Sequence, residues 1–166
     1  MSKLDVRTAI VLRHPTENKV LLLRRSPTKK LFPDHITGIG GKVELDEGEG
    51  NDLTAAAWRE FLEETKIPDT TVTDVRLRLS TILTRGELQV ILLWFTGQLR
   101  ALPPDLSCTE GELAFYPLDQ LPIHDMIPTA SQTIPFVLAL PDDDHAIYNG
   151  YFDEQNRLFT NYPHSQ

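Results

Sequence analysis

The sequence predicts an α/β domain in which a mixed β-sheet is packed between two helices. Three observations predict it. Apolar, β-rich runs recur along the chain. One segment, 53–65, carries apolar residues at helical spacing. One run, LQVILLWFTGQL at 88–99, is apolar almost throughout, as a central strand covered on both faces would be. At 166 residues, with 40% apolar and 24% charged residues, the chain is expected to form one domain over 1–166. It holds no internal repeats and no low-complexity tracts.

The elements follow in order. Thr8–Leu12 and Lys19–Arg25 are β-rich runs joined by the turn HPTEN, and they predict a hairpin. Alternation places Leu21 and Leu23 on one face, Val20 and Leu22 on the other. Ser26–Pro33 is a basic loop with two prolines, and His35–Ile39 is a short strand leading to Gly40-Gly41. The acidic, glycine-dotted loop 44–50 is too polar for regular structure. Asn51 or Asp52 caps a helix that runs to about Thr65 and is stopped by Pro68. Its buried stripe is Leu53, Ala57 and Phe61. Val72–Thr84 and Glu87–Leu99 are long strands turning at Arg85-Gly86. Glu112–Pro117 is a short strand. Thr129–Leu140 is a second helix that Pro135 should kink or split. Ala146–Phe152 and Arg157–Tyr162 form a last hairpin, and Asp142-Asp143-Asp144 is expected to be a solvated turn.

The chemistry concentrates in GGKVELDEGEGNDLTAAAWREFLEETKI, residues 40–67. Glu60, Glu63 and Glu64 stand at i, i+3 and i+4, on one face of the helix. Three like charges so close repel one another unless a cation lies between them. An all-carboxylate set without His or Cys suits a hard ion, Mg²⁺ or Mn²⁺.

These residues resemble the signature box of the Nudix hydrolase family: glycine, five residues, Glu, seven residues, then Arg-Glu-x-x-Glu-Glu. Arg59-Glu60-Phe61-Leu62-Glu63-Glu64 matches the second half. In the first half, Gly41 and Glu47 keep the first spacing but leave eleven residues before Arg59. Taking Glu49 instead leaves seven before it and nine after. Either way the loop is four residues longer than the pattern, and Lys66 stands where the family has glycine. Leu118–Pro122, His124–Pro128 and Ala146–Tyr162 extend the resemblance to the MutT-type branch acting on oxidised purine nucleoside triphosphates.

The resemblance implies an α/β/α sandwich, the Nudix fold, with the box as a loop-helix-loop. It implies water attack on phosphorus in a nucleoside diphosphate-linked substrate, with metal neutralising the phosphates. Glu60, Glu63 and Glu64 would hold metal, together with the Gly40 carbonyl and Glu110 from a later loop; Glu112 is the alternative to Glu110. Glu60 or Glu63 would take the proton. Arg59 would orient the loop carboxylate, Glu47 or Glu49. Lys42, directly after the glycine pair, is the first candidate cation for phosphate, whereas Arg24, Arg25, Lys29 and Lys30 read as surface charge.

The base-reading positions depart from that branch. Thr37, Ile127, Thr129 and Ala130 stand where the branch uses an Asn, a stacking Trp and an Asp pair. Ile127 offers no aromatic face and Ala130 no side-chain hydrogen bond. Thr37, Ile127 and Thr129 are candidate pocket walls for a substrate that is nucleotide-like but not an oxidised purine. A net charge of −8 excludes a nucleic-acid polymer as the expected partner. The longest apolar run, 90–95, is too short to span a membrane. One cysteine, Cys108, and no secretory signal pattern favour a reducing, cytoplasmic setting for a monomer or homodimer. Two other functions share the fold: a non-catalytic sensor of nucleotides or sugar phosphates, and an isoprenoid diphosphate isomerase, which would need Cys108 as its thiol.

Overall fold

The computed structural model describes residues 3–163. Its strands are β1 (Lys3–Arg13), β2 (Lys19–Arg25), β3 (Ile36–Thr37), β4 (Val72–Arg85), β5 (Leu88–Leu99), β6 (Ser107–Cys108), β7 (Gly111–Pro117), β8 (Tyr148–Phe152) and β9 (Leu158–Thr160). Helix α1 spans Leu53–Glu64 and α2 spans Pro128–Ala139. The strands form one mixed sheet in the order β6-β7-β2-β1-β5-β4-β8-β9, with β3 on β2. As expected, β5 is central. It runs parallel to β1 and antiparallel to β4.

The sheet separates two cores. On the α1 side lie Leu21, Leu23, Leu93, Phe95, Ala57 and Phe61; on the α2 side lie Val20, Leu22, Trp94, Ala130, Ile134 and Val137. The alternation of β2 is therefore realised with both faces buried, and β5 is apolar throughout for the same reason. No helix among the described residues is long and apolar enough to cross a membrane.

The predicted β1–β2 hairpin is only partly a hairpin. The two strands pair at Leu12–Leu21 and Arg13–Val20 and then part. β2 goes on along β7, from Lys19–Pro117 to Arg25–Gly111. The glycine segment enters the gap and satisfies the freed edge of β1. Thr8 N–H donates to the Gly41 carbonyl at 2.9 Å, Ile10 and Ile39 exchange bonds of 2.7 and 2.9 Å, and Val43 N–H donates to the Val6 carbonyl at 2.8 Å. Pairing carries β1 well beyond the apolar core of its run, back to Lys3.

Two other expectations are corrected. The acidic loop is not irregular: Leu45–Glu47 and Glu49–Asn51 each form a 3-10 turn. Helix α2 is not split at Pro135, one of the two outcomes expected there: it runs through that residue from Pro128 to Ala139. Thr133, Ile134 and Val137 are buried against the sheet on its inner side, and that burial outweighs the missing backbone bond. The turn after β4 falls at Gly86-Glu87. Asp144 is also more than solvated: it accepts the Tyr148 hydroxyl at 2.7 Å and lies 4.0 Å from the buried Arg78.

Candidate active site

Helix α1 starts at Asp52, whose side chain accepts the Ala55 N–H at 2.9 Å. Ala56, Ala57 and Phe61 anchor it to the sheet, with Leu53 half-buried beside them. Arg59, Glu60 and Glu63 lie beside that stripe, Glu60 nearest to it at 15% side-chain exposure and Glu63 outermost at 60%. Glu64 lies at the boundary and is buried, 8% exposed.

Arg59 is the hub. Its guanidinium grips Glu49 with two nitrogens, donates to Glu60 Oε1 at 2.8 Å and Glu63 Oε2 at 2.9 Å, and reaches the Lys42 carbonyl at 3.1 Å. Bidentate charge-assisted bonds fix a carboxylate's direction as well as its distance. The Arg59 pKa is raised, first by Glu49 and then by Glu60 and Glu63. The choice between Glu47 and Glu49 is thereby decided: Glu49 is the partner, and Glu47 is exposed. Glu49 also accepts the Glu44 N–H at 2.6 Å. The longer loop coils into its two 3-10 turns and so still presents a carboxylate to Arg59.

The glycine pair fits tightly. A Cβ on Gly41 would come within 2.2 Å of Glu60 Oε2, and one on Gly40, at φ 155°, within 2.3 Å of the Thr8 carbonyl. Glu60 thus has one oxygen on Arg59 and the other against a bare backbone.

Glu64 is the most perturbed acid. Burial first, then the charges of Glu110 and Glu60, push it up to about 8, against the Gly40 backbone and Lys29, which favour the anion. Its Oε2 is buried without a hydrogen-bond partner. Such an oxygen is costly to leave bare. Glu110 approaches from the turn between β6 and β7. The backbone bridge Thr65–Cys108 and the Thr109 N–H to Glu64 carbonyl bond of 2.9 Å bring it there. Its side chain is ion-paired with Lys29. Glu112, the alternative, is exposed on β7.

Among the described residues no three His, Cys, Asp or Glu side chains converge into a closed metal cage. Arg59 draws Glu60 and Glu63 to itself, and Lys29 draws Glu110. The donor set still fits a hard divalent cation. It is all oxygen, Glu64 Oε2 has no partner, and Glu60 Oε2 lies free of the guanidinium.

The other candidates are placed as follows. Lys42 is exposed, its ammonium 3.8 Å from Glu44. Thr37 lies on β3 opposite Leu23. Ile127, directly before α2, donates its N–H to the Ile36 carbonyl at 3.0 Å and packs on the α2-side core, with Thr129 in the first turn and Ala130 buried. The Ile127–Ile36 bond therefore brings Ile127 next to the strand that carries Thr37. Lys29, by contrast, joins the site although its sequence marks it only by its place in a basic loop. Cys108, a candidate only for the isomerase reading, sits beside Glu64; burial, with Glu64 and Glu110, pushes its thiol up.

A family profile described as the NUDIX domain matches residues 3–137. The chain belongs to the Nudix family. The family's general chemistry is hydrolysis of phosphoric anhydrides. Solved structures agree on the Nudix fold. A NUDIX hydrolase from Nitrosomonas europaea is 22% identical with TM-score 0.67, covering 89% of this chain and 78% of that one. A MutT protein from Bacillus halodurans is 17% identical with TM-score 0.61, covering 93% and 94%. A NUDIX hydrolase from Alicyclobacillus acidocaldarius is 12% identical with TM-score 0.63, covering 86% and 95%. No curated protein matches the chain.

Proposed function

We propose that this Nudix chain is a Mg²⁺-dependent pyrophosphohydrolase, with Mn²⁺ as a substitute, acting on a nucleotide-like diphosphate or triphosphate. The observation that supports it most is the arrangement on α1. Glu60 and Glu63 are oriented by one arginine, and Glu64 holds a bare buried oxygen beside them.

Glu60, Glu64 and Glu110 would hold the ion with the Gly40 carbonyl, and Glu63 would share it. When bound, the ion supplies neutralisation of phosphate charge and a more acidic water. The chain's own residues supply the rest. Arg59 fixes the direction of Glu60 and Glu63, so neither carboxylate spends freedom on reaching the reaction. Glu63 is the more exposed of the two, at 60% of its side chain against 15% for Glu60. It is the one open to an incoming water and is assigned the proton. Glu60 is assigned to metal. Lys42 is kept as a phosphate contact that would have to leave Glu44. Thr37, Ile127 and Thr129 are assigned to the wall around the base.

The acidic balance of the chain supports a small ligand over a polymer.

The test is phosphate and pyrophosphate release with Mg²⁺ by wild type and Glu63→Gln. Loss of a positioned general base should lower turnover by on the order of 10²–10⁴-fold, with an unchanged circular dichroism spectrum. Equal turnover in the two proteins would remove Glu63 from the chemistry.

A further inference from the structure

The loop 26–34 between β2 and β3 is exposed along most of its length, with Pro27, Thr28, Lys30 and Leu31 all open to solvent. Lys29 is only partly exposed: its ammonium is ion-paired with Glu110, each side chain 31% exposed.

This contact is built into the backbone. Ser26 N–H donates to the carbonyl of Glu110 itself at 2.9 Å, and Lys29 N–H returns to the Ser26 carbonyl at 3.1 Å. Ser26 Oγ and Thr28 Oγ1 share a bond of 2.8 Å. A Cβ on Gly111 would lie 2.0 Å from the Arg24 carbonyl, so the turn carrying Glu110 is pressed against the end of β2. At the far end of the loop, Arg24 donates to the Asp34 carbonyl at 2.7 Å and Arg25 to the Leu31 carbonyl at 3.2 Å. A lysine fixed two ways to the residue it pairs with is not a freely moving surface charge.

Resting on the metal reading above, we propose that Lys29 is a phosphate-binding residue held on Glu110 as an internal counter-ion until a divalent cation takes that carboxylate. Two positive charges do not share one carboxylate face without repulsion. A divalent ion on Glu64 and Glu110 therefore expels the ammonium, and the loop keeps it at the rim. An ammonium with three donors and no carboxylate left to pair with is suited to an anionic phosphate oxygen. Lys29 then does two things: it pairs with Glu110 in the free protein, and it binds the ligand that arrives with the metal. Among the cations near the site, Arg59 is committed to Glu49, Glu60 and Glu63, and Lys42 faces Glu44.

The experiment uses two probes besides turnover. Mn²⁺ is titrated into wild type, Lys29→Met, Lys29→Arg and the control Lys30→Met, with free Mn²⁺ read by electron paramagnetic resonance. Inorganic pyrophosphate is then titrated calorimetrically at saturating Mn²⁺. Lys29→Met should bind Mn²⁺ several-fold more tightly, because its competitor is gone. It should bind pyrophosphate about tenfold more weakly, the usual worth of one charge-assisted bond. Lys29→Arg should recover the pyrophosphate affinity, and Lys30→Met should match wild type in both. If Lys29→Met matches wild type in either titration, the proposal is overturned while the metal reading stands. If wild type takes up no Mn²⁺, both fall.

Discussion

The two helices meet the same sheet and bring it opposite things. Helix α1 buries Ala56, Ala57 and Phe61 and turns Arg59, Glu60, Glu63 and Glu64 toward the glycine pair. The start of α2 brings Ile127, Pro128, Thr129 and Ala130, with no charge among them. One region is thus a dense set of oriented carboxylates, the other an apolar edge with one hydroxyl, that of Thr129. The difference teaches how differently the two regions are ordered. Orientation on α1 depends on one guanidinium and is kept with two 3-10 turns in the loop, whereas the start of α2 offers shape and a single hydroxyl to whatever lies against it.

The comparison can be broken most forcefully at Arg59. Arg59→Ala frees Glu49, Glu60 and Glu63 at once. Residues that orient metal ligands typically contribute 10–100-fold, so turnover should fall by about that factor. The acidic loop should also become more accessible to amide hydrogen exchange. Ordinary turnover in Arg59→Ala would show that the carboxylates orient themselves.

The next test uses Glu64. Its folded-state pKa, about 8, lies above the ordinary 4.5, so the folded, metal-free protein keeps a proton that the unfolded chain releases. The sign follows: this contribution to stability is fully present below pH 4.5 and is lost as pH rises through about 8. A tenfold difference in proton affinity between the folded and unfolded chain is worth about 1.4 kcal/mol, so the loss is on the order of a few kcal/mol. Urea midpoints of the metal-free protein should therefore fall between pH 5 and pH 8 relative to Glu64→Gln. Parallel midpoints in the two proteins would contradict the burial argument.

The smallest effect is expected at α2. Ile127→Trp introduces an aromatic face beside Thr37. Stacking contributes roughly 0.5–1.5 kcal/mol, so KM for purine nucleotides should fall several-fold with kcat little changed. An unchanged KM would place the base elsewhere.

Much of the fold is legible in the sequence, and so is the grouping of Arg59 with the glutamates of α1. The spacing of Glu60, Glu63 and Glu64 alone defines a carboxylate face, and the alternation of β2 and the apolar run of β5 mark a sheet covered twice. What is not legible depends on long-range pairing. The glycine segment 39–43 replaces β2 as the partner of β1, which no local pattern announces. The choice of Glu49 over Glu47 depends on how two 3-10 turns coil. Pro135 breaks a local rule, and the packing of Ile134 and Val137 overrides it. Lys29 and Glu110 lie far apart in the chain and meet only because β2 pairs with β7.

The central claim is that α1 carries an anhydride-cleaving centre and that α2 does not select an oxidised purine. Initial rates on one panel test both halves: 8-oxo-dGTP, dGTP, other nucleoside triphosphates, nucleoside diphosphate sugars, dinucleoside polyphosphates and NADH, with Mg²⁺ or Mn²⁺. The expected result is metal-dependent phosphate, pyrophosphate or nucleotide release from at least one compound, with no large preference for 8-oxo-dGTP over dGTP. A folded protein that cleaves nothing on the panel, or that prefers 8-oxo-dGTP by a wide margin, would contradict the account.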